Sequence, residues 1–184
     1  MEIEIKKKLA TYWFSILQDI ICIEIEKLEK EFGSNSKFKS NKWKFGEFRT
    51  IKGKLIEKGG VAFSKVEGKF PKSFSGNVPG TKNNKNFWAS GVSAIFHPKN
   101  PKIPAMHFNT RFICTQKSWF GGGMDLTPSL IDNNEKNFFH SELKKMCDAH
   151  NKNYYKKYKK KCDNYFYLEH RKEPRGIGGI FFDY

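Results

Sequence analysis

The sequence predicts an α+β fold, a large antiparallel β-sheet flanked by helices. Two observations carry that prediction. Strand-like runs cluster in the middle of the chain, with Gly, Pro and Asn between them. Helical patterns stand before and after this meander rather than alternating with its strands. At 184 residues the chain fits one domain able to bury a core, and no internal repeat is visible.

Each element has its own reason. Residues 1–33 hold an amphipathic helix over about 4–32, with Leu9, Trp13, Ile16, Leu17, Ile20, Leu28 and Phe32 as its apolar stripe. Gly33 is the expected stop. Residues 34–41 read as a polar linker, and the sheet meander spans 43–120. Its strands are expected at about 47–52, 61–66, 88–97, 105–114 and 117–120. The triple glycine from Gly121 then makes a turn that presents Asp125. Residues 135–169 carry two helices, at about 135–150 and 153–169. The last segment, 176–184, reads as a hydrophobic strand.

One strand pair has the composition of a binding surface. Side chains two apart share a strand face. His107, Asn109 and Arg111 therefore point one way, while Met106, Phe108 and Phe112 point to a core. Ser93, Ile95 and His97 share a face of the preceding run, across the proline-rich loop from Pro98 to Pro104. A hairpin register that sets odd against odd gathers Ser93, His97, His107, Asn109 and Arg111 on one surface. Most polar strand faces merely meet water. In a Lys-rich chain, however, such a face should carry Lys, Asn or Ser rather than His and Arg.

Arginine usage sharpens the point. Lys and Arg together number 34, yet Arg occurs only at 49, 111, 171 and 175. An Arg that persists in such a background suits bidentate pairing to a carboxylate or phosphate, which Lys cannot copy. Arg49 and Arg171 also fit an ordinary surface role.

The formal charge of +15 invites a nucleic-acid partner, above all in YYKKYKKKCDNYFY from Tyr154. As a helix, however, that segment buries Tyr155, Tyr158, Cys162 and Tyr165 or Phe166 and turns its lysines to water. The excess charge is better suited to attracting a substrate with several carboxylates. No apolar run approaches the ~20 residues of a membrane span, and no signal-peptide layout opens the chain. Cys22, Cys114, Cys147 and Cys162 lack metal spacing and read as reduced thiols in a cytoplasmic protein. RGIGGIFF has its glycines before the strand, unlike a dinucleotide-binding turn, and GGGMD lacks the GK[ST] of a phosphate loop. His97, His107, His140 and His170 form a candidate metal set without any short zinc spacing. His150 reads as a surface residue.

Long motifs carry a family resemblance. FWASGVSAIFHPKNPKIPAMHFNTRF from Phe87, WFGGGMDLTP from Trp119 and YFYLEHRKEPRGIGGIFFDY from Tyr165 resemble the oxygen-dependent coproporphyrinogen III oxidases. EKGGVAFSKVEGKFP from Glu57 and FHSELKKMCDAH from Phe139 extend the likeness over nearly all of the chain beyond about Trp43. The resemblance implies a large antiparallel sheet covered by helices, and a homodimer. It also implies an oxidoreductase that converts two propionates of coproporphyrinogen III to vinyl groups. Dioxygen is then the acceptor, and protoporphyrinogen IX, carbon dioxide and hydrogen peroxide are the products.

By the same resemblance, His107 would supply a proton, Arg111 and Arg175 would hold propionates, and Asp125 would accept hydrogen bonds from pyrrole N–H groups. Ser93, Asn109 and Thr110 match substrate-contacting positions, although Thr110 points away from its neighbours in a regular strand. No cofactor is required beyond molecular oxygen, and a divalent metal at the four histidines is the optional addition. Family members continue past the position of Tyr184 with further strands and dimer-forming helices, so the expected fold is incomplete at its C-terminus and lacks the dimer region. Two alternatives stay open: an inactive remnant that binds tetrapyrroles, and a basic nucleic-acid-binding protein.

Overall fold

The computed structural model describes residues 1–71, 73 and 78–184. Among the described residues, its α+β architecture has a seven-stranded antiparallel sheet, a two-stranded hairpin and three α-helices. β1 (Lys39–Trp43), β2 (Gly46–Ile51), β3 (Ile56–Lys69), β4 (Asn86–Pro98), β5 (Ala105–Cys114) and β6 (Ser118–Thr127) follow one another as a meander. β9 (Gly178–Phe182) then closes the order by pairing with β6. α1 (Glu2–Glu31) precedes the sheet, while α2 (Asn133–Asp148) and α3 (Tyr154–Tyr165) lie between β6 and β9. A small hairpin, β7 (Tyr167–Leu168) with β8 (Glu173–Pro174), stands apart from the main sheet.

The register pairs odd with odd across the middle of the sheet. Ser93 faces Asn109, Ile95 faces His107, and Gly91 faces Arg111. One row therefore runs Lys39, Thr50, Gly60, Ile95, His107, Asp125, Gly179 from β1 to β9. Even positions such as Trp88, Val92, Ala94, Phe96 and Phe112 turn to the opposite face and pack beneath α1. Met124 and Ile180 lie on that same face and pack against Leu143, Cys147 and Phe139 of α2 and Tyr155 and Tyr158 of α3. The helices thus cover most of the even face, and the odd face is exposed along β4 at Ser93, Ile95 and His97 but closed at its β6–β9 end, where Asp125 is buried and Phe181 stacks on Tyr165.

The buried stripe of α1 differs from the expected one. Leu9, Trp13, Ile20, Leu28 and Phe32 are exposed, while Ala10, Phe14, Gln18, Cys22 and Glu29 face the sheet. The reason is polar. The Gln18 amide donates to the carbonyls of Val61 (2.9 Å) and Glu47 (3.1 Å). Glu29, 0% exposed, accepts the backbone N–H groups of Lys54, Leu55 and Ile56 at 2.8, 3.1 and 2.8 Å. These are backbone groups of the β2–β3 turn and nearby strands, and burial obliges them to find partners. Gly53 makes room for that carboxylate, since a Cβ there would lie 2.2 Å from it. Hydrophobic periodicity cannot register such contacts.

Other boundaries moved for similar reasons. Part of the expected polar linker is β1, an exposed Lys-bearing edge strand held by its backbone pairing to β2. The second late helix ends at Tyr165 instead of about 169, and Lys172 turns the β7–β8 hairpin with a φ of 54°. The triple glycine is not a turn. β6 runs straight through it, with Gly121, Gly122 and Gly123 paired to Arg111, Thr110 and Asn109.

Glu29→Ala should destabilise the fold by about 1–3 kcal/mol, because the buried Ile56 N–H and the partly buried Lys54 and Leu55 N–H groups would lose their acceptor. Gly53→Ala should destabilise in the same direction by displacing the carboxylate. Urea denaturation checks both, and a loss below ~0.5 kcal/mol for Glu29→Ala would exclude a bracing role.

Candidate functional site

The odd face holds two charged centres on neighbouring strands. The first is Asp125, only 2% exposed at the β5–β6 pairing. Its Oδ1 lies 2.9 Å from Nδ1 of His107, the residue directly across the ladder. Its Oδ2 accepts from the Arg175 guanidinium at 2.7 Å. With the carboxylate ionised, Nδ1 of His107 carries the proton of that bond, which leaves Nε2 as the ring's acceptor nitrogen. Burial would push the Asp125 carboxyl up, but the hydrogen bonds and charges of His107 and Arg175 outweigh it and hold the group below its ordinary value.

Arg175 is placed by the loop after β8. Its backbone N–H donates to the Phe166 carbonyl at 3.1 Å, and its guanidinium lies 3.8 Å over the Phe166 ring. The loop is pinned from the helical side by His140, whose Nε2 donates to the Ile177 carbonyl at 2.8 Å. Nδ1 of His140 accepts from the Tyr155 hydroxyl at 3.1 Å. Desolvation keeps this imidazole below its ordinary pKa, so it stays neutral.

The second centre stands four residues along β5. Arg111 donates to Asn109 Oδ1 at 3.1 Å and to Asp183 Oδ2 at 2.5 Å. The other Asp183 oxygen accepts the Trp119 indole N–H at 2.6 Å. Gly121 lies beneath this cluster, where a Cβ would come within 2.8 Å of Asp183 and 3.1 Å of Arg111. The glycine expected in a turn is thus a gap in a strand, filled by a guanidinium. Phe181, stacked on Tyr165 with ring centroids 4.5 Å apart, lies beside Arg111.

The structure brings His107, Asp125 and Arg175 into contact and sets Asn109 against Arg111, with Ser93 open across the ladder from Asn109. It turns Thr110 to the other face, paired with Val92 and Gly122. Each Asp125 oxygen is engaged inside the protein, Oδ1 by His107 and Oδ2 by Arg175. Asp183 and Trp119 were missed by sequence reasoning. The alternation Gly179, Phe181, Asp183 was the available signal, since it places Asp183 on the odd face.

The four-histidine metal set does not form. No group of three His, Cys, Asp or Glu side chains converges among the described residues. Both nitrogens of His140 are committed on the helical face, His107 is tied to Asp125, His97 is exposed at the end of β4, and His170 lies exposed between β7 and β8. Arg49, by contrast, is saturated by Asp19 (2.6 Å) and Glu47 (2.9 Å), and Arg171 pairs with Glu173 at 2.8 Å. The four cysteines are free and buried; burial pushes Cys22 up to about 11 and Cys162 up to about 12. No helix among the described residues is long and apolar enough to cross a membrane.

Comparison with known proteins points the same way. A model of the family described as coproporphyrinogen III oxidase matches residues 9–184. An oxygen-dependent coproporphyrinogen-III oxidase of Rickettsia bellii (strain RML369-C) is 46% identical over 97% of this chain and 67% of its own length. The protein of the same name from Rickettsia rickettsii (strain Sheila Smith) is 47% identical over 100% of this chain and 69% of its own. That from Rickettsia akari (strain Hartford) is also 47% identical over the same shares.

Two measurements test the geometry. Asp183→Ala should cost about 1–3 kcal/mol and move the Trp119 indole resonance in a proton–nitrogen spectrum; an unmoved resonance would break the link. For pH, the sign follows from the two shifts. Asp125, depressed in the fold, contributes stability present above ~4 and lost as pH falls through its folded value. His140, also depressed, costs stability below ~6.5, where the unfolded chain takes up a proton first. Stability at successive pH values should therefore fall in two stages, and His140→Gln should remove the upper one, whose slope cannot exceed ~1.4 kcal/mol per pH unit.

Proposed function

The chain belongs to the coproporphyrinogen III oxidase family, and from that premise we propose that its odd face performs the oxidative decarboxylation of coproporphyrinogen III. Two propionate side chains become vinyls, giving protoporphyrinogen IX for haem synthesis. For each, the propionate loses a hydrogen from the carbon next to the pyrrole ring and its carboxylate leaves as carbon dioxide. The two electrons and the hydrogen reach dioxygen, which leaves as hydrogen peroxide once a further proton is supplied.

The observation that carries this reading is the grouping of an imidazole, His107, held through Asp125 to the loop guanidinium of Arg175, with a second guanidinium, Arg111, on the same strand face as His107. Arg111 stands four residues along β5 from His107, and Arg175 reaches Asp125, the residue opposite His107 on the adjacent strand, so both can engage carboxylates of one macrocycle. Their fixed orientation restrains the substrate, which supplies its own electrons, so the protein contributes placement and charge. His107, with Nδ1 locked on Asp125, offers Nε2 for the proton that the step needs. Asp125 positions both His107 and Arg175. Asn109 and Ser93 line the floor between the two centres. No step is assigned to a metal, since the histidines do not converge. The free, buried thiols support a reducing, cytoplasmic location.

An aerobic assay that follows coproporphyrinogen III loss and carbon dioxide release tests the proposal on this 184-residue chain. His107→Ala should lower kcat about 10²–10⁴-fold, and Arg111→Lys should raise KM about tenfold through lost bidentate pairing. Absence of turnover from folded wild-type protein, or full turnover by His107→Ala, would count against it.

A further inference from the structure

The row that carries His107 and Asp125 continues past β4 into a groove of about 990 Å³. Thr50, Gly60 and Ile95 form its base and belong to that row, as does Lys39 at its rim. Lys37, Lys52 and Lys58 also line it, with Glu57 as the acidic member of the lining. Lys37 is paired with Glu26 at 2.7 Å. Lys39, Lys52 and Lys58 make no ion pair with any described residue. Uncompensated ammonium groups around one concavity raise its positive potential, and an anion placed there relieves their repulsion.

The surface between the groove and the arginines is low. Gly60, Ala62 and Ser64 of β3 and Gly91 and Ser93 of β4 share the odd face, so a flat ligand can lie across both strands. From His107 to Gly60 is two strand spacings, about 10 Å, and to Thr50 three, about 14 Å. A tetrapyrrole gripped at the Arg111 and Arg175 side therefore extends its far edge toward the lysines.

We infer that the lysine groove is an anion subsite for the carboxylates on the far edge of the substrate, those that are not reacting. The inference rests on the proposed function for its ligand. The two ends of the face then do different work. Arginine forks fix orientation, whereas lysine ammoniums are point charges on flexible stems that tolerate many carboxylate poses. The groove thus selects for the number of carboxylates more than for their geometry, and it holds on to the macrocycle after the first propionate has been lost.

The test compares ligands that differ in carboxylate number. Wild type and the double variant Lys39→Ala, Lys58→Ala are titrated with deuteroporphyrin IX, which keeps the two non-reacting carboxylates and lacks the reacting pair, and with its dimethyl ester, which has neither. The double variant should lose about tenfold in affinity for the first and stay within about twofold for the second. Its affinity for the first should also depend less on salt. Equal losses for both ligands, or none for either, overturn the subsite. If the double variant turns over coproporphyrinogen III with an unchanged KM, the groove inference fails while the proposed function stands. Both lysines are exposed, so a matching urea midpoint confirms that the variant folds.

Discussion

A single buried carboxylate organises the odd face. Asp125 is closed to water and would be costly there alone, so the fold must supply it with donors. It receives one from across the ladder, His107, and one from a distant loop, Arg175. Those two bonds fix the imidazole tautomer and draw the loop after β8 onto the end of β6. The same loop is held from beneath by His140 and from above by the Phe166 ring. Removing the carboxylate would leave a guanidinium and an imidazole with no reason to stay where they are.

The one-sided placement of the helices gives this centre its access. α1 and α2 pack against the even face, where Val61, Phe96, Met124 and Ile180 lie, and α3 packs there through Tyr155 and Tyr158. α1 is anchored there by two polar side chains, Gln18 and Glu29, as well as by apolar packing. Each of them satisfies backbone groups that would otherwise be buried without partners, which fixes the helix in rotation and not merely in position. The opposite face keeps Ser93, Ile95 and His97 exposed and His107, Arg111 and Arg175 partly exposed.

Arginine and lysine divide the charge of this surface. Arg49, Arg111 and Arg175 are each bound to carboxylates of the protein itself, so their geometry is set before a ligand arrives. Lys39, Lys52 and Lys58 are not so bound and remain adaptable. Two carboxylate partners of the site arginines, Asp125 and Asp183, sit opposite glycines in the ladder or beside them, at Gly179 and Gly121. The glycines of β6 and β9 are thus spaces for charged side chains, which explains why a strand can afford so many of them.

Strand alternation in the sequence was enough to place Ser93, His107, Asn109 and Arg111 on one face, because side-chain direction in a strand is a local property of the backbone. The same alternation set Thr110 apart, and the scarcity of Arg singled out Arg111 and Arg175. Tertiary structure alone decided the rest. Which stripe of α1 faces the sheet depended on Gln18 and Glu29 meeting backbone groups about 25 to 43 residues away. That Gly121 to Gly123 form a strand depended on Arg111 and β9 filling the space beside them. That Asp125 faces inward, and that Asp183 holds Arg111 from 72 residues away, depended on partners brought together by the sheet. Local pattern sets which way a side chain points; only the folded ladder sets what it meets.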